Sequence, residues 1–346
     1  MPQLDGLRGL CVIAVVYTHY WPKDYWPFGV FWAPLGVIGF FVLSGFLITS
    51  VLLRDLATAP TLPAAYGSFL ARRALRLYPI LLVVLLAASA LHIGQTRETL
   101  AWHLFYLTNF YMAAISEWPV AFGHLYSLAV EEQFYLIWPL ALFFLPRRLV
   151  PAALLLLVFT AIVFRIAWVA AGLGDTGMHV LTPAAFDALA LGALLAFIKT
   201  KHKALPIIGL IGFSLWLASE WIVFPYRPDL NLIFFSVGTT GAAMFFMWAV
   251  ARLADGVSGP VGAVFNNAVL RYIGIISYGI YLLHGFMPYF LGATGYYIPP
   301  SQFYPVATVA TVVLAALSWH LLERPIIRAG RKIMSSRFAA QPVRTA

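Results

Sequence analysis

A run of about twenty apolar residues, long enough for a helix to cross the hydrocarbon core of a bilayer, recurs along most of this chain. Such runs fall at approximately 7–27, 34–53, 76–94, 126–145, 150–171, 183–198, 205–224, 231–251, 270–291 and 303–322. Within hydrocarbon a segment must satisfy its own backbone N–H and C=O groups, so each run predicts a helix. The charge content agrees: 10% of the 346 residues are charged, whereas a soluble domain carries about 25%. The expected fold class is an all-α integral membrane protein of about ten transmembrane helices. No internal repeat or low-complexity linker divides it. The expected organisation is one transmembrane domain over 1–334 and a short, disordered cytoplasmic tail over 335–346.

A net charge of +9 would suit a nucleic-acid binder, but the basic residues lie between the apolar runs. They cluster at Arg72, Arg73 and Arg76, at Arg147 and Arg148, at Lys199, Lys201 and Lys203, and from Arg324 onward. No basic, aromatic-interleaved soluble stretch is present to dock a strand, which argues against nucleic acid as a partner. With the N-terminus inside, 18 Lys and Arg residues fall in inner segments against three outside, Lys23, Arg97 and Arg227, while Arg165 lies within a helix. The positive-inside rule then puts both termini in the cytoplasm. Asp5 and Arg8 sit where a signal peptide would carry a cationic leader, so the first run reads as a retained helix. The single cysteine, Cys11, permits neither an intrachain disulfide nor a cysteine metal site. The segment 100–122 mixes Trp102, His103, Asn109 and Glu117 with aromatics and reads as a re-entrant or interfacial piece, a candidate wall of a site.

Ionisable groups inside such runs are costly, and each one is a functional hypothesis. Arg8 and His19 are eleven positions apart, which returns to within about 20° of one helical face and separates them by about 16 Å. Asp5 lies near that face. Arg8 is expected near the inner boundary and His19 around mid-bilayer. An imidazole there can act as a general base on a hydroxyl, or serve only as a hydrogen-bonded packing residue. Arg73 and Arg76 share a face three residues apart, and their guanidinium forks suit a diphosphate such as that of coenzyme A. Basic residues also mark inner loops in any membrane protein.

In the second run, Gly36, Gly39, Ser44 and Gly45 allow close helix approach. In 123–139, His124, Ser127 and Glu131 recur on one face with Glu132 beside it, and a carboxylate there can orient a histidine. Ser277, Tyr281 and His284 form another stripe, of the kind that also merely joins helices. Glu323 and Arg324 read as an inner-face anchor.

Taken together, QLDGLRG at 3–9, His19 eleven after Arg8, GFFVLSGFLIT at 39–49, the arginine pair at 73–76, SLAVEEQFYLIWP at 127–139, SYGIYLLH at 277–284 and LERP at 322–325 resemble the membrane acyltransferase-3 family. The resemblance covers nearly the whole chain. It implies an O-acyltransferase of the bacterial inner membrane that takes an acyl group, usually acetyl, from cytoplasmic acyl-CoA. The acceptor it implies is a hydroxyl of a cell-surface glycan, lipid-linked sugar or glycoside. By that analogy Arg8 and His19 are the essential pair of the first helix, and Arg73 and Arg76 belong to an arginine motif. Some members carry an extracytoplasmic esterase-like domain. None is expected in these 346 residues, so transfer is either direct or relayed through a separate extracytoplasmic acyl-accepting partner.

The expected mechanism has Arg8, Arg73 and Arg76 on the acetyl-CoA phosphates. His19, oriented by Glu131 or Asp5, serves as base, and Ser44, His124, Glu132, Ser277, Tyr281 and His284 line the cavity. No metal is expected. Two alternatives stay open: His19 or Cys11 as a covalent acyl carrier, and a transporter or glycan flippase in which the same polar residues line a pathway and no bond is made.

Overall fold

A computed structural model of the chain describes residues 1–338 apart from 26, 28, 29, 31, 59, 60, 199 and 224–230. Those residues are helical with no strand among them. The helices are α1 (Pro2–Tyr20), α2 (Trp32–Thr58), α3 (Leu62–Ala90), α4 (Leu100–Leu104), α5 (Thr108–Ile115), α6 (Leu125–Phe144), α7 (Val150–Ala170), α8 (Asp175–Val180) and α9 (Phe186–Leu195). After them come α10 (Leu205–Ala218), α11 (Asn231–Asp255), α12 (Gly259–Asn266), α13 (Ala268–Ile275), α14 (Ser277–His284), α15 (Met287–Ala293), α16 (Pro300–Ser318) and α17 (Arg324–Phe338). Among the described residues five stretches are long and apolar enough to cross a membrane: Trp32–Thr58, Leu62–Ala90, Val150–Ala170, Phe235–Asp255 and Pro300–Lys332.

Three expected runs differ in shape. The first ends at Tyr20 instead of 27, because Trp21 precedes Pro22 and takes the extended backbone that a pre-proline residue favours (φ −93°, ψ 139°). The third begins at Leu62, where the Thr61 side chain accepts the Ala64 N–H and Pro63 occupies the first turn, so Arg72, Arg73 and Arg76 ride inside a long helix. The run at 270–291 is divided into α13, α14 and α15. Helix α17 passes position 335 and reaches Phe338, while 339–346 lie outside the described residues.

Helix α1 is the axis of the assembly, packed on α2 and α13. The contact with α13 is backbone on backbone: a Cβ added at Gly274 would fall 1.7 Å from the Asp5 carbonyl oxygen, and one at Gly9 would fall 2.2 Å from that of Leu270. Helices α2 and α9 cross on reciprocal glycines, Gly45 against Leu189 O and Gly192 against Val42 O, each 2.1 Å from the position of a Cβ. Small residues are the usual means of bringing membrane helices this close. Cys11 is buried at the α1–α2 contact, with its Sγ against Gly39, a packing position.

A buried ion pair ties α7 to α9. Arg165 Nη2 lies 2.5 Å from Asp187 Oδ2, with both side chains at most 1% exposed. Every lone pair and proton of importance is met: Arg165 donates to the Ala184 and Ser236 carbonyls, and Asp187 accepts from Thr240 Oγ1 on α11 and the Ala188 N–H. Satisfied in this way, the pair fixes the mutual register of three helices.

Candidate active site

Five helices, α1, α2, α3, α6 and α14, converge on a chamber whose polar lining is Arg8, Ser44, Arg73, Arg76, Ser127, Glu131, Tyr135, Ser277, Tyr278 and Tyr281. Apolar residues of α2, Val37, Phe40, Phe41 and Leu47, close one wall. The polar groups hold one another in place. Ser44 Oγ donates to Glu131 Oε1 at 2.6 Å, and the Arg73 guanidinium carbon sits 4.4 Å from the centroid of the Tyr135 ring in a cation–π contact. Ser127 Oγ and Tyr281 Oη are 2.7 Å apart, and both reach the His124 carbonyl at 3.2 Å.

Beyond Arg8, Arg73 and Arg76 a wider vestibule of about 410 Å³ opens, lined also by Asp5, Phe69, Arg72, Leu75, Ile275, Trp319, Ile327 and Arg331. The three arginines line both spaces and form the neck between them. Arg8 is 3.6 Å from Asp5, and Arg72 is paired with Asp55. Among the described residues Arg73 and Arg76 have no carboxylate within ion-pairing distance, so their charge is available to an incoming anion.

The histidines gather behind the chamber instead of in it. The His284 ring lies 5.1 Å from that of His19 and 4.7 Å from that of His124, centroid to centroid, and the Tyr281 ring lies 5.2 Å from His284. Each imidazole has one nitrogen against a carbonyl oxygen: His19 Nδ1 on Val15 O (2.8 Å), His284 Nδ1 on Tyr281 O (2.5 Å) and His124 Nε2 on Leu282 O (3.1 Å). A carbonyl only accepts, so those nitrogens carry the protons and the tautomers are set. His284 Nε2 is buried and has no partner among the described residues, an unspent lone pair in the middle of the cluster. Gly285 makes room for it, since a Cβ there would fall 2.2 Å from the His124 ring. Tyr20 Oη donates to the His284 carbonyl at 2.7 Å and lies 2.9 Å from Thr311 Oγ1, anchoring the end of α1.

Of the residues expected to cooperate, Arg8, Ser44, Arg73, Arg76, Glu131, Ser277 and Tyr281 share the chamber. Asp5 lies in the vestibule, Glu132 lines neither space, and His19, His124 and His284 form the adjoining cluster. His19 occupies the last turn of α1 and is exposed, because the helix ends ahead of Pro22 instead of running on to residue 27. Its expected orienting partners are corrected: Glu131 is engaged by Ser44 and Asp5 neighbours Arg8, while the Val15 carbonyl sets the His19 ring. The 100–122 segment backs α6 and does not wall the chamber. Gln133 Nε2 donates to the Tyr106 carbonyl and to Asn109 Oδ1, and His103 is held between Thr99 and Thr108. Tyr135 was missed, although its i+4 spacing from Glu131 was a usable signal. Asp187 was missed as well, a lone acid in an apolar run.

The fold and this chamber define the class: a polytopic helical membrane protein with an arginine-necked chamber backed by imidazoles. Comparison with known families makes it specific, for the acyltransferase-3 family, described as an acyltransferase domain, matches residues 1–320, and the chain belongs to that family. O-acetyltransferase OatA of Staphylococcus aureus (strain NCTC 8325 / PS 47) is 29% identical over 374 residues, covering 96% of this chain and 58% of OatA. Two further S. aureus proteins named provisionally as O-acetyltransferases are each 28% identical. SAR0937 of strain MRSA252 matches over 99% of this chain and 60% of its own length, and SAS0844 of strain MSSA476 over 97% and 59%. The chain thus spans about three-fifths of the length of the curated relatives it matches. No solved structure matches it.

Proposed function

We propose that this protein is a membrane O-acyltransferase that moves an acetyl group from cytoplasmic acetyl-CoA to a hydroxyl of a cell-surface or lipid-linked glycan or glycoside. In this reading it crosses the bacterial inner membrane about ten times with both termini inside, and residues 1–334 are the transferase domain. The observation that carries the proposal is the neck: two guanidiniums with no carboxylate within ion-pairing distance among the described residues, Arg73 and Arg76, stand with Arg8 between a wide vestibule and a narrow chamber backed, behind Tyr281, by imidazoles. A donor with a phosphorylated head and a long thioester arm fits such a shape, and the O-acetyltransferase name of OatA supports acetyl as the group moved.

In the proposed reaction the three arginines hold the diphosphate with charge-assisted, forked hydrogen bonds. The thioester passes the neck, and Tyr281, which lies between the chamber and the imidazoles, moves to admit it. His19, whose Nδ1–H is held by Val15 O, receives the acceptor's hydroxyl proton on Nε2. The alkoxide attacks the thioester carbonyl, the tetrahedral intermediate collapses to the ester, and the CoA thiolate takes the proton back from the imidazolium. Holding donor and acceptor in one chamber supplies the orientation advantage.

The test is acceptor-dependent thiol release from acetyl-CoA by protein in lipid nanodiscs, with radiolabelled acetyl recovered as a base-labile ester on glycan fragments. His19→Ala is expected to lower turnover by about 10²–10⁴-fold with unchanged folding. An unaltered rate in that variant removes His19 from the chemistry, and no label on any glycan overturns the function.

A further inference from the structure

We infer that the outer vestibule is a nucleotide subsite for an adenosine 3′,5′-bisphosphate head, in which Arg331 of α17 reads the 3′-phosphate. The inference rests on the acyl-CoA reading above and assigns the end of the donor which that reading left unplaced. Direction comes from the lining. Arg8, Arg73 and Arg76 line both spaces, whereas Arg331, Trp319 and Ile327 line the vestibule alone. With a diphosphate at the neck and the thioester arm inward, whatever is attached on the other side of the diphosphate must lie outward, against those residues.

The chemistry of that outer wall matches a phosphorylated nucleoside. Trp319 and Phe69 supply aromatic surface, and Leu75, Ile275 and Ile327 supply apolar surface, against which an adenine can lie out of water. Among the described residues Asp5 is the one carboxylate that lines the vestibule, and it neighbours Arg8. Arg72 is paired with Asp55. Among the described residues Arg331 has no carboxylate partner, and it stands on a separate element from the neck arginines. A phosphate monoester carries about two negative charges at neutral pH and is bound best by a planar guanidinium fork. The neck arginines are already committed to the diphosphate, so a further arginine on the vestibule side is what a third phosphate requires.

The neighbouring basic residues Arg328 and Lys332 on α17 allow a rival source for the same phosphate chemistry, an anionic lipid headgroup. The experiment separates the two. Full-length protein is reconstituted in phosphatidylcholine nanodiscs and titrated calorimetrically with acetyl-CoA and with 3′-dephospho-acetyl-CoA, then again in nanodiscs containing phosphatidylglycerol. The expected result is that the wild type binds acetyl-CoA at least about tenfold more tightly than the dephospho form, the scale of one lost charge-assisted contact. Arg331→Gln should lose most of that preference in phosphatidylcholine while binding the dephospho form as the wild type does, and Arg331→Lys should keep part of it. Trp319→Ala should weaken both forms alike. The inference is overturned if wild type and Arg331→Gln show the same preference, if neither shows one, or if the effect of the substitution appears only with phosphatidylglycerol. In those cases acetyl-CoA still binds and the transferase reading stands. Failure of both CoA forms to bind the wild type overturns the transferase reading and this one together.

Discussion

Asp187 has no exposed surface, and its carboxylate meets Arg165 of α7 and Thr240 of α11 in the same pocket. Removing one charge would leave the other stranded in an apolar interior, which costs about 3–5 kcal/mol, far more than an exposed pair contributes. Asp187→Asn is therefore expected to lower the thermal midpoint in detergent sharply. The double change Arg165→Met with Asp187→Leu should recover most of it, which thermal unfolding followed by size-exclusion fluorescence can read. The sequence exposed this site only halfway: Arg165 stands out as a cation inside a span, but nothing in the linear pattern says that an acid 22 positions later faces it. His19 shows the same limit from the other side. Its alignment with Arg8 on one helix is legible from spacing, whereas its ring neighbour His284 comes from a segment more than two hundred residues away, and His124 joins the cluster through His284.

Helices were the most legible scale, because a twenty-residue apolar run and a 100° period leave little choice of secondary structure. What periodicity could not give was where α1 stops or that one run becomes α13, α14 and α15. Those outcomes depend on Pro22 and on the backbone contact at Gly274, local stereochemistry and tertiary packing in turn. The glycine crossing of α2 and α9 makes the same point about function. Ser44, which holds Glu131, lies between Val42 and Gly45, two of the positions that touch α9. Gly192→Val would drive side-chain atoms into the Val42 carbonyl and part the helices, for the clash is with backbone and cannot be relieved by a rotamer. The expected outcome is a lower thermal midpoint together with loss of the proposed acetyl transfer, and the two should be restored together by a compensating change if one is selected.

At the scale of the whole molecule, sidedness is testable because Cys11 is the sole cysteine and is buried. In a Cys11→Ser background, a cysteine placed at Arg97 or Glu117 should react with an impermeant maleimide added to intact cells. One placed at Ser258 or Arg328 should react only after permeabilisation. Reversed labelling would put the arginine neck on the wrong side for a cytoplasmic donor. The neck and the imidazoles have one further consequence when considered together. Arg8 and His19 ride on a single uninterrupted helix, so the roughly 16 Å between them is a ruler that no rocking of neighbouring helices can shorten. A compact acyl phosphate could dock on the guanidiniums and would still leave its carbonyl far from His19, the proposed base. In the proposed reaction only a donor that brings its own tether bridges the gap, so the length of this one helix would select carrier-bound acyl groups before any side chain inspects them.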